Sequence, residues 1–305
     1  MAAADVFSRF RPWEGDVDPG WDVNWLGVRT RVSVQSDLRG YDARTHVRTE
    51  RPHPSEDLFE WIDVLESVAE SQGRFTMLEL GAGWGRWLVN AVAALRQLDP
   101  ERPFLLVGVE AEPTHFAWLG RHLLDNGIDP SRQMLVKAAV ASKDGWVKFQ
   151  RGDPAAWYGQ SVERDDPQAK LAGPVSRLIR WTRNTLANRV TLADDARKVR
   201  RSRAVSVATL LRTVDVVDLL DADLQGLEAE ALEPVAEELA RKVRRVHVGT
   251  HGPENEARLR ALFGRLEWGC RFDYAGNARH ETPYGTVVFE DGVQSWLNPS
   301  IPPRD

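Results

Sequence analysis

Cysteine is almost absent from this chain: Cys270 is the only one in 305 residues. A single thiol closes no intramolecular disulfide and builds no cysteine-rich zinc site, and the composition fits a reducing compartment such as the cytoplasm. Long apolar runs are missing too. No stretch approaches the roughly 18 apolar residues of a membrane span, and no apolar stretch follows a basic start at the N-terminus, so a soluble, unexported protein is expected. A basic excess is also lacking. The formal charge is −5, which argues against nucleic acid as a charge-driven partner. There is no internal repeat and no low-complexity segment.

What is present is enough apolar sequence, 42% of residues, for one large α/β domain or two small ones. Residues 1–55 are rich in Trp, Arg, Asp and Pro without sustained periodicity and read as a cap or lid. Residues 56–70 repeat apolar side chains at helical spacing, with Gly73 as the stop. A buried strand over 75–80, a glycine turn and a helix over 87–95 follow. A second strand over 104–110 leads into a helix over 113–126 ended by Gly127. Two successive strand–helix units predict a parallel sheet. Residues 134–140 and 146–149 read as short strands around a Lys143-Asp-Gly145 turn. Residues 161–204, with many arginines, read as an inserted basic helical appendage. Strands over 214–221 and 243–248 and helices over 227–241 and 254–266 resume the core. Residues 268–274 and 285–290 are expected to close the domain as an antiparallel pair. The main domain then spans 56–299, with a tail over 300–305.

The stretch Glu79-Leu-Gly-Ala-Gly-Trp-Gly85 carries the first chemistry. Glycines after a buried strand let backbone N–H groups and a helix N-terminus approach a polar ligand. Gly81, Ala82, Gly83 and Gly85 alone would serve a nicotinamide dinucleotide equally well. Two features favour S-adenosylmethionine. Glu79 would attract the cationic amino end of a methionine moiety and repel a pyrophosphate. Glu110, followed by Ala111, ends the next strand, where a carboxylate accepts both ribose hydroxyls, and it lies about 25 to 30 residues after the glycines rather than the roughly 20 of the dinucleotide fingerprint.

These residues, with Val109-Glu-Ala-Glu-Pro113, Asn126-Gly127, Lys137-Ala-Ala-Val140, Asp144-Gly145 and Asp221-Ala-Asp-Leu-Gln-Gly-Leu-Glu228, resemble the FkbM family of S-adenosylmethionine-dependent methyltransferases over about residues 56–299. Gln225 stands where the family's Asp-x-Glu-Gly-x-Glu element has its first Glu. The ending, from Thr282-Pro-Tyr-Gly285 to Pro299, also resembles family members. The resemblance implies a Rossmann-like α/β fold with a seven-stranded, mostly parallel sheet, an antiparallel last strand and helices on both faces. It also implies O-methylation of a hydroxyl on a sugar, polysaccharide or secondary metabolite.

Ligands of parallel α/β sheets lie beyond the carboxyl ends of the strands. That places Asp221, Asp223, Gln225, Thr250 and His251 on the acceptor side. His251, with an ordinary imidazole pKa, and Asp223 are the candidate base and orienter, whereas His247, inside a strand, reads as core. Trp157, Tyr158 and Gln160 form a polar-aromatic loop suited to stacking on adenine or a sugar. Asp221 and Asp223 would be the ligands of a Mg2+ ion, but no third carboxylate is evident and a metal-free site is favoured. The arginines of the insert suit an anionic substrate or a membrane surface, and homo-oligomers stay open. The rival readings are a nicotinamide-dependent oxidoreductase and a catalytically degenerate assembly partner.

Overall fold

The computed structural model describes residues 3–35, 38–150, 161–162 and 199–301. Its centre is a seven-stranded sheet. In chain order the strands are β1 (Phe75–Leu80), β2 (Phe104–Glu110), β3 (Met134–Lys137), β4 (Leu219–Ala222), β5 (Arg245–Thr250), β6 (Gly269–Tyr274) and β7 (Gly292–Leu297). They lie in the order β6-β7-β5-β4-β1-β2-β3. Neighbouring strands from β5 to β3 run parallel, and β7 is antiparallel to both β5 and β6. This is the Rossmann-like class I methyltransferase arrangement expected above.

Helices cover both faces: α1 (Asp57–Glu70), α2 (Arg86–Leu98) and α3 (Pro113–Asp125) on one, α4 (Val207–Leu211), α5 (Glu228–Leu232), α6 (Ala236–Lys242) and α7 (Pro253–Arg265) on the other. The sequence of β1 explains the sandwich. All six of its residues are buried, as a strand covered on both faces requires. Phe75 and Met77 pack with α1 and α2, and Leu78 and Leu80 join the opposite core, following the two-residue period of a strand. Glu79 therefore faces α1 and α2.

The same alternation makes part of that face polar. Asp221 of β4 is in register with Glu79 of β1 and with His247 of β5, and His247 is in register with Ser295 of β7. Arg245, 1% exposed, lies two residues before His247 and ion-pairs with Asp63 at 2.7 Å, Glu66 at 2.8 Å and Glu70 at 3.2 Å, all on α1. Asp63 also takes hydrogen bonds from His247 and Ser295. One helix face thus seats on the sheet through charge as well as apolar contact.

The first 55 residues pack onto the α1–α3 face. Trp25 meets Trp61 of α1 edge-on at 5.4 Å, and Trp61 meets Trp87 of α2 at 5.0 Å. Such pairs add about 0.5–1.5 kcal/mol beyond their buried area. Arg31 grips Asp125 of α3 with two hydrogen bonds of 2.6 and 3.0 Å.

Five expectations change. Residues 268–274 do not pair with 285–290: β6 pairs with β7, and Gly285–Phe289 pairs with Ala278–Thr282 in a separate hairpin. The insert is not helical at its end, because Val199–Val205 is a strand between Gly145–Gln150 and Ala139–Val140, and Ser161–Val162 pairs on the far side of Gly145–Gln150. Residues 163–198 lie outside the described residues. The expected strand over 134–140 splits, β3 staying in the main sheet and Ala139–Val140 joining the second one. The strand over 214–221 shortens to β4 because α4 and a turn precede it. The helix over 227–241 breaks into α5 and α6 at a 3-10 turn containing Pro234, whose ring supplies no N–H for a continuous helix. Among the described residues, no helix is long and apolar enough to cross a membrane.

Candidate cofactor and acceptor site

A cavity of about 340 Å³ opens at the carboxyl ends of β1, β2 and β4 and is lined by Glu79, Gly81, Ala82, Gly83, Glu110 and Ala111 together with Asp223 and Gln225. Sequence-local geometry makes the loop. Gly81 has φ +86°, and a Cβ there would come within 2.0 Å of the Asp223 carbonyl oxygen. We expect Gly81→Ala to cost about 2 kcal/mol or more, since both the left-handed φ and the backbone contact oppose it. Chemical denaturation checks this, and an unchanged midpoint would contradict the tight β1–β4 approach. Gly85 does not line the cavity. It sits at φ +76° as the residue before α2, and a Cβ there would press on Leu119.

Glu110 is pinned by the loop it faces. Its Oε2 accepts from Gly83 N at 2.8 Å and its Oε1 from Glu112 N at 2.6 Å. Burial pushes its carboxyl up to about 7 despite those bonds. Free lone pairs remain on both oxygens for two further donors. Glu79 is 5% exposed. Burial, with Asp221 beside it, holds its carboxyl well above the usual range, although the nearby backbone N–H groups of Leu88 and Trp87 favour its ionised form. Its Oε2 is buried without a hydrogen-bond partner.

Of the residues expected on the acceptor side, Asp223 and Gln225 line the cavity with Asp291, and His251 stands outside its lining and bonds to them. His251 Nδ1 lies 2.9 Å from Glu228 Oε1, and its Nε2 lies 3.6 Å from Asp223 Oδ1 and 3.5 Å from Asp291 Oδ2. The Gln225 amide nitrogen is 2.9 Å from Asp223 Oδ1 and 3.0 Å from His251 Nε2. Burial opposes charge on His251, but its bonds to Asp291 and Glu228 and the field of Asp223 win and raise it to about 10. Against the ordinary imidazole pKa expected from the sequence, the surroundings of His251 shift it toward its charged form. Asp223 is exposed toward the mouth.

Thr250 is fully buried, turned to Glu256 and away from the cavity lining. Trp157, Tyr158 and Gln160 lie outside the described residues. Asp221 and Asp223, expected as one ligand pair, fall into two separate clusters, Glu60 with Asp221 and His247, and Asp223 with Glu228 and His251. In the second, the Glu228 oxygens already accept from Leu224 N, Gly226 N, His251 and Asn255. The sequence reading missed Arg86, His115, Phe149 and Asp291, which line the cavity. Arg86 was within reach, as the residue that follows Gly85 at the start of α2. The others are brought in by tertiary contacts.

No protein-family model matches the chain. It is 24% identical over 293 residues to a putative methyltransferase from Jannaschia sp. (strain CCS1), covering 93% of this chain and 94% of that protein. Among solved structures, it is similar to the methyltransferase FkbM from Methylobacillus flagellatus, with a TM-score of 0.40 and 12% identity over 75% of this chain and 44% of that one. It is also similar to an O-methyltransferase from Bacillus cereus solved with S-adenosylhomocysteine, with a TM-score of 0.37 and 8% identity over 80% and 82%. At such scores the likeness extends no further than the general sheet arrangement.

Proposed function

We propose that this chain is an S-adenosylmethionine-dependent O-methyltransferase of the FkbM type that acts on a hydroxyl of a sugar, polysaccharide or secondary metabolite. The observation that carries the reading is Glu110, a buried carboxylate at the end of β2 that is bonded to the glycine loop and faces the cavity. The similarity to a putative methyltransferase over 93% of the chain supports it, as do the motifs that resemble the FkbM family. Bound in the cavity, the cofactor supplies an electrophilic methyl group on a sulfonium. Glu110 would accept from the two ribose hydroxyls, the backbone of Gly81, Ala82 and Gly83 would lie close to the ligand, and the cofactor's cationic end would draw Glu79 toward its ionised form.

Asp223 is placed at the cavity to take the acceptor's proton, and a bound cofactor would supply the methyl group from a sulfonium that becomes a neutral thioether. His251, as an imidazolium, keeps Asp223 ionised and oriented. Gln225 is neutral where the family has Glu, so the mouth is spared one more carboxylate.

Incubation with methyl-labelled S-adenosylmethionine and a panel of sugar and polyketide hydroxyl acceptors tests the reading. Label recovered on oxygen is expected. Label recovered only on nitrogen or carbon would reject O-methylation.

The pH dependence of binding follows from Glu110, which faces Glu112 and Glu79 as its charged neighbours. Ribose hydroxyls need its ionised form, and in the free protein it titrates at about 7. Affinity for S-adenosylhomocysteine should be level above that pH and fall below it, by at most about tenfold per pH unit. Titrations between pH 5.5 and 8.5 measure it, and a pH-independent affinity would remove Glu110 from the ribose.

A further inference from the structure

Behind the cofactor cavity lies a smaller chamber of about 90 Å³, lined by Glu60, Glu79, Asp221, Asp223, His247 and Trp87 among others. Sheet register builds it. Glu79, Asp221 and His247 stand side by side on β1, β4 and β5, and Glu60 comes down from α1. One donor atom each from Glu60, Asp221 and His247 lies within 4.8 Å of the others, the spacing that ligands around a single ion require.

Two further features point to a ligand. His247, 2% exposed, commits Nδ1 to Asp63 at 2.7 Å. This carboxylate–histidine pairing leaves Nε2 to face the chamber and recurs behind metal-bound imidazoles. Glu79, 5% exposed, lines the chamber with an Oε2 that no hydrogen bond satisfies, and an unpaired buried carboxylate oxygen calls for a cation.

We propose that Glu60, Asp221 and His247, with Glu79 Oε2 as a fourth donor, bind one divalent transition-metal ion of the Mn2+ or Zn2+ class beneath α1. An imidazole among carboxylates suits these ions better than Ca2+ or Mg2+, which prefer all-oxygen shells. Bound there, the ion ties α1 to the ends of β1, β4 and β5 and offsets the acidic chamber without touching the methyl acceptor. The ion would share Glu79 with the cofactor cavity, but its other three donors, Glu60, Asp221 and His247, lie outside that cavity's lining.

The test uses the full chain, stripped with a chelator and dialysed against Mn2+ or Zn2+ alone, with metal counted per chain. Wild type and His251→Gln, which alters the other cluster, should each retain one equivalent. Glu60→Gln and His247→Gln should bind about tenfold or more weakly. Glu60 is only half-buried, so Glu60→Gln decides the matter if His247→Gln fails to fold. Calorimetry with S-adenosylhomocysteine on wild type and Glu60→Gln separates the two readings, because Glu60 does not line the cofactor cavity and its loss should leave that affinity unchanged. No stoichiometric metal in wild type, metal retained by both variants, or metal lost only in His251→Gln would overturn the site. One metal per chain without cofactor binding would overturn only the proposed function.

Discussion

Replacing Glu110 with alanine is expected to weaken S-adenosylhomocysteine binding by roughly 100-fold or more. Two hydrogen bonds from ribose hydroxyls to an ionised acceptor are lost, each contributing about 1.5–3 kcal/mol, and Gly83 N and Glu112 N lose the acceptor that holds the loop. Glu110→Gln tells lost binding from lost folding. The Glu110 carboxyl is raised in the folded chain, so its contribution to stability is present in acid and fades as pH rises through about 7. At pH 8 its buried charge disfavours folding. Glu110→Gln relieves that charge but turns its amide nitrogen toward one of the two backbone N–H groups, Gly83 or Glu112, so the two effects offset and the variant should melt close to wild type at pH 8 while still binding the ligand poorly. A lower melting temperature together with unimpaired binding would contradict both parts.

The second large effect concerns Arg245. Arg245→Ala strips the buried Asp63 and Glu66 of the guanidinium they share, and breaking one partner out of such a cluster typically costs about 3–5 kcal/mol. Arg271 still reaches Glu66 at 2.7 Å and His247 still reaches Asp63, which keeps the loss toward the lower end. For a chain of this size the melting temperature should fall by about 5 °C. Arg265→Ala, at an exposed position, should stay within about 0.5 kcal/mol of wild type. Equal, small effects for both would mean that the α1–sheet ion cluster does not stabilise the fold.

What the sequence disclosed follows from how local each signal is. Glu79, Gly81, Gly83 and Glu110 sit in two consecutive strand–turn units, so periodicity and glycine spacing place all four around one cavity without knowledge of long-range pairing. The α5–α6 break was signalled by Pro234 and went unread. Val199–Val205 was hidden because Arg200, Arg201 and Arg203 on an exposed strand carry no apolar alternation. The partnership of β6 with β7 skips the hairpin of Ala278–Thr282 and Gly285–Phe289, and adjacency in sequence favours the wrong mate.

Neither the charge of His251 nor the second chamber is legible in one dimension. The raised pKa of His251 comes from Asp223 and Glu228, at the two ends of the β4–α5 connection, and from Asp291, just before β7. Glu60 meets Asp221 and His247 because α1 packs over β4 and β5.

The central claim, that the cavity beside Glu110 holds S-adenosylmethionine, is tested most directly by calorimetric titration of the purified chain with S-adenosylhomocysteine at pH 8, repeated in the presence of a nicotinamide dinucleotide. The account predicts one micromolar site per chain that the dinucleotide does not displace. No binding, or displacement by the dinucleotide, would contradict it.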